Sequence, residues 1–113
     1  MSDCLFCNIA SGDIPADFVL ETEKVVAFRD IDPKAPTHVL VIPRKHFDNA
    51  AELANSDKSL MAEVMQATVD VAALEALAEG YRIVTNTGTD GGQSVNHVHF
   101  HVLGGRSLNW PPG

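Results

Sequence analysis

Apolar residues recur with helical spacing over only one long stretch of this chain, from Ser56 to Glu79, whereas runs of strand length occur repeatedly elsewhere. Leu60, Val64, Ala67, Val71, Leu74 and Ala78 fall three or four residues apart and predict an amphipathic helix, with Asn55 or Ser56 as N-cap and Gly80 as the stop. Met61 and Met65 widen the same stripe as core filling. Phe18 to Glu21 and Val25 to Arg29 flank the polar Thr22-Glu23-Lys24 and read as an antiparallel hairpin. Thr37 to Ile42, stopped by Pro43, is the expected central strand, and Tyr81 to Thr85 and His97 to Leu103 complete a set of five. Residues 4 to 12 predict a short helix ending at Gly12, with Leu5, Phe6 and Ile9 as its apolar stripe. Strands outnumber long helices, so the expected fold is α+β with a mainly antiparallel sheet. The lone Trp110, on a proline-stiffened tail, is expected to pack against something rather than stand in water.

A length of 113 residues suits a single domain spanning 1–113. Fifteen acidic against eight basic residues give a net charge of −7, which argues against a nucleic-acid partner bound through a broad basic surface but leaves room for one small nucleotide. Residues 1–4 lack the basic and apolar segments of a signal peptide, and no apolar run approaches the roughly 20 residues that span a bilayer, so a cytoplasmic protein without a membrane partner is expected. Two cysteines are too few for a secreted disulfide framework, in keeping with a reducing compartment.

Three of the five histidines lie in the alternating stretch His97-Val98-His99-Phe100-His101-Val102. On a strand that alternation puts the imidazoles on one face and the apolar residues on the other, with same-face neighbours about 6.5 Å apart. Such a face can act on one phosphate or hold a metal ion. A merely solvated polar face is the competing reading. The glycine-rich loop from Asn86 to Asn96 precedes it, matching neither a Walker loop nor a dinucleotide fingerprint but able to turn backbone amides toward an anion. Imidazole is a competent nucleophile toward phosphorus, and phosphoryl transfer needs donors for the phosphate oxygens and a proton for the leaving group. Cys4-x-x-Cys7 is a possible zinc knuckle that needs two further ligands, for which His46 and one strand histidine are the obvious suppliers. Two buried cysteines, or a redox pair, are the alternatives.

With these residues in view, His97-Val98-His99-Phe100-His101-Val102-Leu103 resembles the signature of the histidine triad family. Cys4-Leu5-Phe6-Cys7-Asn8-Ile9, Ala27 to Ile31, Ala35 to Pro43, Asp90 to Ser94 and Trp110 to Gly113 all resemble its HINT branch, the purine nucleoside phosphoramidases. The resemblance implies a homodimer whose two sheets join into one, and hydrolysis of adenosine or guanosine 5′-phosphoramidates and related acyl-nucleotides. By matching position, His99 would attack the α-phosphorus to give a nucleotidyl-histidine, and His101 and His38 would hold the phosphate region. Asn86, Gly92 and Ser94 would bind phosphate oxygens or the leaving group, with Ser94 helping to protonate the departing amine. Phe28 and Ile31 would line the base pocket, Asp30 would accept from the ribose hydroxyls, and Trp110 would reach toward the partner subunit's site. Relatives that contain zinc imply a structural ion on Cys4, Cys7, His46 and His97, with no catalytic metal required. His97 must then turn away from the other two histidines. Asn96 departs from the aromatic residue often found there. The alternatives are a nucleotide-binding interaction protein with incidental hydrolysis and, less in keeping with a closed cysteine site, a catalytic zinc hydrolase using the whole triad.

Overall fold

The structure, a computed structural model, describes residues 2–113. In chain order it runs α1 (Leu5–Ser11), β1 (Phe18–Glu21), β2 (Val25–Arg29), β3 (Thr37–Pro43), α2 (Ala50–Ser56), α3 (Lys58–Leu74), β4 (Tyr81–Val84) and β5 (Phe100–Gly104). The strands form one antiparallel sheet in the order β1-β2-β3-β5-β4. The fold is α+β, as the sequence pattern predicts.

The two faces of the sheet differ in what covers them. Val25, Ala27, Val39, Val41, Phe100 and Val102 point to the face packed by Leu60, Val64, Ala67 and Val71 of α3. Val26, Phe28, Leu40 and Ile42, their alternating neighbours, meet Phe6, Ile9 and Ala10 of α1. β2 up to Phe28 and the Val39–Ile42 part of β3 are therefore apolar on both sides, as strands buried on both faces must be, with His38 the polar exception at the start of β3. β5 departs from that rule. Its residues facing α3 are apolar, but the opposite face carries His101, with His99 just ahead of the strand.

Several boundaries move from their expected places. α2 has no counterpart among the expected elements: Asn49 caps it by accepting from the Glu52 N–H at 3.0 Å, and Glu52 accepts from the Asp48 N–H at 2.9 Å. The Asn49-x-x-Glu52 spacing is that of a capping box, except that Glu52 accepts from the N–H one residue before the cap. Asp57, rather than Asn55 or Ser56, caps α3 through the Leu60 N–H at 3.0 Å. α3 stops at Leu74, which is 59% exposed, and Ala78 and Gly80 lie beyond it. There Ala76 takes a left-handed conformation (φ 56°) and Leu77 folds back onto the helix-side core. A side chain at Gly104 would sit 2.8 Å from Leu77 Cδ1, so this return depends on glycine in β5. Met61 packs on the core, but Met65 is 39% exposed. In α1, Leu5 is 47% exposed rather than part of a buried stripe. Trp110 is 83% exposed, so its own chain supplies little of the packing expected of it. Among the described residues no helix is long and apolar enough to cross a membrane.

Candidate functional site

β5 begins at Phe100, not at His97, because the preceding residues spend their polar groups elsewhere. The Val98 N–H donates to the Phe47 carbonyl at 2.7 Å, and the His97 ring bonds the Pro43 carbonyl at 2.8 Å. The alternation of faces nevertheless persists: Val98 is buried with Phe100 and Val102 on the helix side. His97 and His99 both meet the ring of Phe6, edge-on, with centroids 6.1 and 5.0 Å away. The rings of His99 and His101 lie 5.1 Å apart.

A cleft of about 660 Å³ opens on this face. His99, His101, Ser94, Phe28, Asp30 and Ile31 line it together with apolar residues of α1 and of the 14–17 loop. His38 stands behind, 6% exposed, with its Nε2 2.8 Å from His101 Nδ1. Asn86, Gly92 and Trp110 do not line it. The Asn86 side-chain amide instead donates to the Gly91 carbonyl at 2.6 Å, closing the glycine-rich loop on itself. Gly91 has no alternative there, since a Cβ would fall 2.4 Å from the Thr87 carbonyl oxygen.

Hydrogen bonds fix the protons. The Lys34 N–H donates to His38 Nδ1 at 3.0 Å, so neutral His38 carries its hydrogen on Nε2 and donates to His101 Nδ1. The His101 hydrogen is therefore on Nε2. His99 Nδ1 lies 2.8 Å from the His97 carbonyl, which can only accept, leaving a lone pair on His99 Nε2. Adjacent imidazoles thus present a bare nitrogen and an N–H donor.

Burial, and then the positive charges that His99 and His38 would carry, push the pKa of His101 down to about 4, with Asp30 opposing. Burial likewise lowers His38. A further proton on His101 Nδ1 would face the His38 Nε2–H, donor against donor, at 2.8 Å. Because the folded-state pKa lies below the unfolded value, stability is present above pH 6.5 and lost as pH falls toward 4. After allowance for solvent screening we expect about 1–2 kcal/mol from His101, read as a drop in denaturation midpoint between pH 7 and 4.5. His101→Asn should flatten that part of the profile.

A second cluster joins residues distant in sequence. Cys4 and Cys7 bracket the first turn of α1, where the Cys4 sulfur caps the helix by accepting from the Cys7 N–H at 3.3 Å. His97 Nδ1 lies 3.4 Å from both sulfurs, and His46 Nδ1 lies 3.4 Å from Cys7 Sγ. Tetrahedral zinc with its usual Zn–S and Zn–N bonds sets such atoms about 3.5 Å apart. The opposite ring nitrogens donate outward, His97 Nε2 to the Pro43 carbonyl at 2.8 Å and His46 Nε2 to the Asp48 carboxylate at 2.9 Å. Both Nδ1 lone pairs therefore face the sulfurs, the arrangement that outer partners impose on histidine ligands. Burial holds His97 below its ordinary pKa. Burial raises Cys4, but hydrogen bonds from Cys7 and His46 outweigh it and lower the thiol overall.

Asp30, His38 and His101 also bring three possible ligand atoms within 4.8 Å. They fail the proton count. His38 Nε2 bears the hydrogen while Nδ1 is committed to Lys34, and the 2.8 Å nitrogen separation fits a hydrogen bond rather than the about 3.3 Å edge of a zinc tetrahedron. The residues of the first cluster fit a metal, and these do not.

Sequence reasoning missed Gln93, Asp48 and the carbonyls of Pro43 and His97. Only Asp48, two residues beyond His46, carries a local signal.

This sheet, with its paired imidazoles over a cleft and its cysteine–histidine cluster, is that of the HIT domain family, to which the chain belongs; the family model described as HIT domain matches residues 11–108. A 14 kDa zinc-binding protein of Zea mays is 45% identical over 115 residues, covering 99% of this chain and 89% of its own. The structure of a HIT family hydrolase from Legionella pneumophila Philadelphia 1 superposes with a TM-score of 0.94 at 47% identity, over 98% of this chain and all of that one (100%). A histidine triad nucleotide-binding protein from Candida albicans gives 0.83 at 30% identity, over 96% of this chain and 83% of that one.

Proposed function

We propose that this protein hydrolyses purine nucleoside 5′-phosphoramidates, and related acyl-nucleotides, through a nucleotidyl-histidine on His99. The observation that carries the reading is the proton arrangement: His99 Nδ1 donates to the His97 carbonyl at 2.8 Å, which leaves its Nε2 lone pair as a nucleophile beside the His101 N–H donor. The kinship with proteins described as a HIT family hydrolase and a nucleotide-binding protein supports it.

In the first step His99 Nε2 bonds to the α-phosphorus while the bond from phosphorus to the amine nitrogen breaks. Ser94, on the cleft wall, helps deliver a proton to the departing amine. In the second step water attacks the same phosphorus, one of its protons restoring the Ser94 hydroxyl, and His99 leaves as neutral imidazole, releasing the nucleoside monophosphate. His101 donates from Nε2 to a phosphate oxygen, and His38, behind it, holds that proton assignment. Asp30 accepts from the ribose hydroxyls, and Phe28 and Ile31 enclose the base. Asn86 and Gly92 act on the phosphate through the loop they shape, since the Asn86 amide is already committed to Gly91. Trp110 serves the site of a partner subunit, consistent with its exposure here. The homodimer we propose continues the sheet across subunits; the exposed Met65, Val69 and Leu74 of α3 supply apolar surface to cover. Cys4, Cys7, His46 and His97 hold zinc, which when bound cross-links their segments and takes no part in the chemistry. A reducing cytoplasm keeps both thiols available as ligands.

The test is a steady-state screen of nucleoside phosphoramidates varying base and amine, with mass spectrometry of acid-quenched protein. We expect turnover and a nucleoside-monophosphate adduct that maps to His99. Tight binding of nucleoside monophosphate with negligible turnover across all amines would favour an interaction protein instead.

A further inference from the structure

The Gln93 side chain spans the two clusters. Its Oε1 accepts from the Gly88 N–H at 3.0 Å, and its Nε2 donates to the Val95 carbonyl at 2.9 Å, so the amide pins both limbs of the glycine-rich loop. The other Nε2 hydrogen goes to the Asp48 carbonyl at 2.6 Å, forty-five residues away in sequence. With one acceptor and two donors engaged, this amide has its donors fully committed within the protein and is not directed at a ligand. Asp48 is also the residue whose carboxylate holds the His46 ring. A path of contacts therefore leads from Cys7 to His46, by hydrogen bond to the Asp48 carboxylate, through that residue to its backbone carbonyl, and by hydrogen bond to Gln93 and the loop that carries Ser94 into the cleft.

We propose that Gln93 is a positioning residue that couples the cysteine–histidine cluster to the nucleotide cleft, so that zinc bound to the first and a nucleoside monophosphate bound in the second each tighten the other. The proposal rests on the zinc and nucleotide assignments above. When His46 is held by the metal, Asp48 is held with it, and its carbonyl gives Gln93 a fixed anchor for the loop. When His46 is free, the anchor loosens and residues 86–94 must be ordered by the nucleotide alone. Linkage makes the effect reciprocal: whatever zinc adds to nucleotide affinity, nucleotide adds to zinc affinity.

The experiment measures zinc affinity of the full chain by chelator competition, with and without saturating adenosine 5′-monophosphate, and amide hydrogen exchange of residues 87–94 in zinc-loaded and metal-stripped protein. In the wild type we expect the nucleotide to tighten zinc about fivefold, in the usual range of allosteric coupling, and stripping to speed loop exchange. Gln93→Glu keeps the acceptor but loses both donors, and Gln93→Met keeps only the length. In either variant zinc should bind, the fivefold linkage should vanish, and loop exchange should be fast whether or not zinc is present. A residue that only stabilised the fold would not abolish linkage while leaving zinc bound. Linkage undiminished in both variants, or wild-type loop exchange indifferent to zinc, overturns the proposal. Failure to hydrolyse phosphoramidates would refute the phosphoramidase reading alone, because the exchange comparison needs neither turnover nor nucleotide.

Discussion

His99→Ala should lower kcat for an adenosine phosphoramidate by about 10⁴-fold or more while leaving nucleoside monophosphate binding within a few-fold of wild type, because removing a covalent nucleophile abolishes a route that neighbouring groups cannot supply. The asymmetry follows from the geometry. Apolar side chains from α1, the 14–17 loop and the end of β2 make most of the cleft wall, and they remain when the imidazole goes. His99 has an engaged Nδ1 and a bare Nε2, so in the proposed mechanism its contribution lies in bond formation rather than ground-state contact. His101→Ala should cost less, about 10²-fold, since it removes one donor to the phosphate and leaves the nucleophile in place. Rates would be read in steady state and affinity by calorimetry. A His99→Ala protein with wild-type turnover would overturn the mechanism, whatever the fate of binding.

The faces of this sheet are legible in the sequence because a period of two permits only one assignment. With Val98, Phe100 and Val102 facing the helix-side core, the three histidines must leave by the other side. The helices were less legible for two physical reasons. α2 buries Leu53 alone, so it has almost no apolar stripe, and its only clear mark is the Asn49–Glu52 cap. The end of α3 is a tertiary decision: Leu74, Ala76 and Leu77 continue a plausible helical pattern, yet the chain turns at Ala76 so that Leu77 reaches the space left by Gly104.

At the cleft, His99, His101, Ser94, Phe28, Asp30 and Ile31 come together as the sequence leads one to expect, Asn86, Gly92 and Trp110 do not, and the proton positions have no mark in the sequence. The groups that set the tautomers are the carbonyls of Pro43 and His97 and the N–H of Lys34, which nearly every residue possesses. No side-chain pattern marks them. The same limit explains why Gln93, although inside a recognised motif, reads as a loop residue until its partners in the 48 and 88 positions are seen. It also separates two clusters that composition treats alike. Both offer histidines and an anionic partner, but only around Cys4 and Cys7 do the lone pairs converge.

That convergence predicts the second large effect, in stability. Cys4→Ser should lose zinc and lower the melting temperature of the zinc-loaded protein by on the order of 10–20 °C, corresponding to about 3–5 kcal/mol for a domain of this size. The four residues come from the start of α1, the turn after β3 and the segment entering β5, so a metal held by them would join three pieces with no direct sequence connection. His97 is fully buried, and without a metal its Nδ1 faces two sulfurs 3.4 Å away that supply at best weak S–H donors. Stripping zinc from the wild type should reproduce most of the shift, whereas the serine variant should melt at one temperature with or without chelator. Serine at position 4 can still accept the Cys7 N–H that caps α1, so loss of the cap alone does not account for a shift of this size. The damage should also reach the reaction centre, because the carbonyl that orients His99 belongs to His97. Equal zinc content and equal melting temperatures in the wild type and Cys4→Ser would show that the four residues are not a metal site.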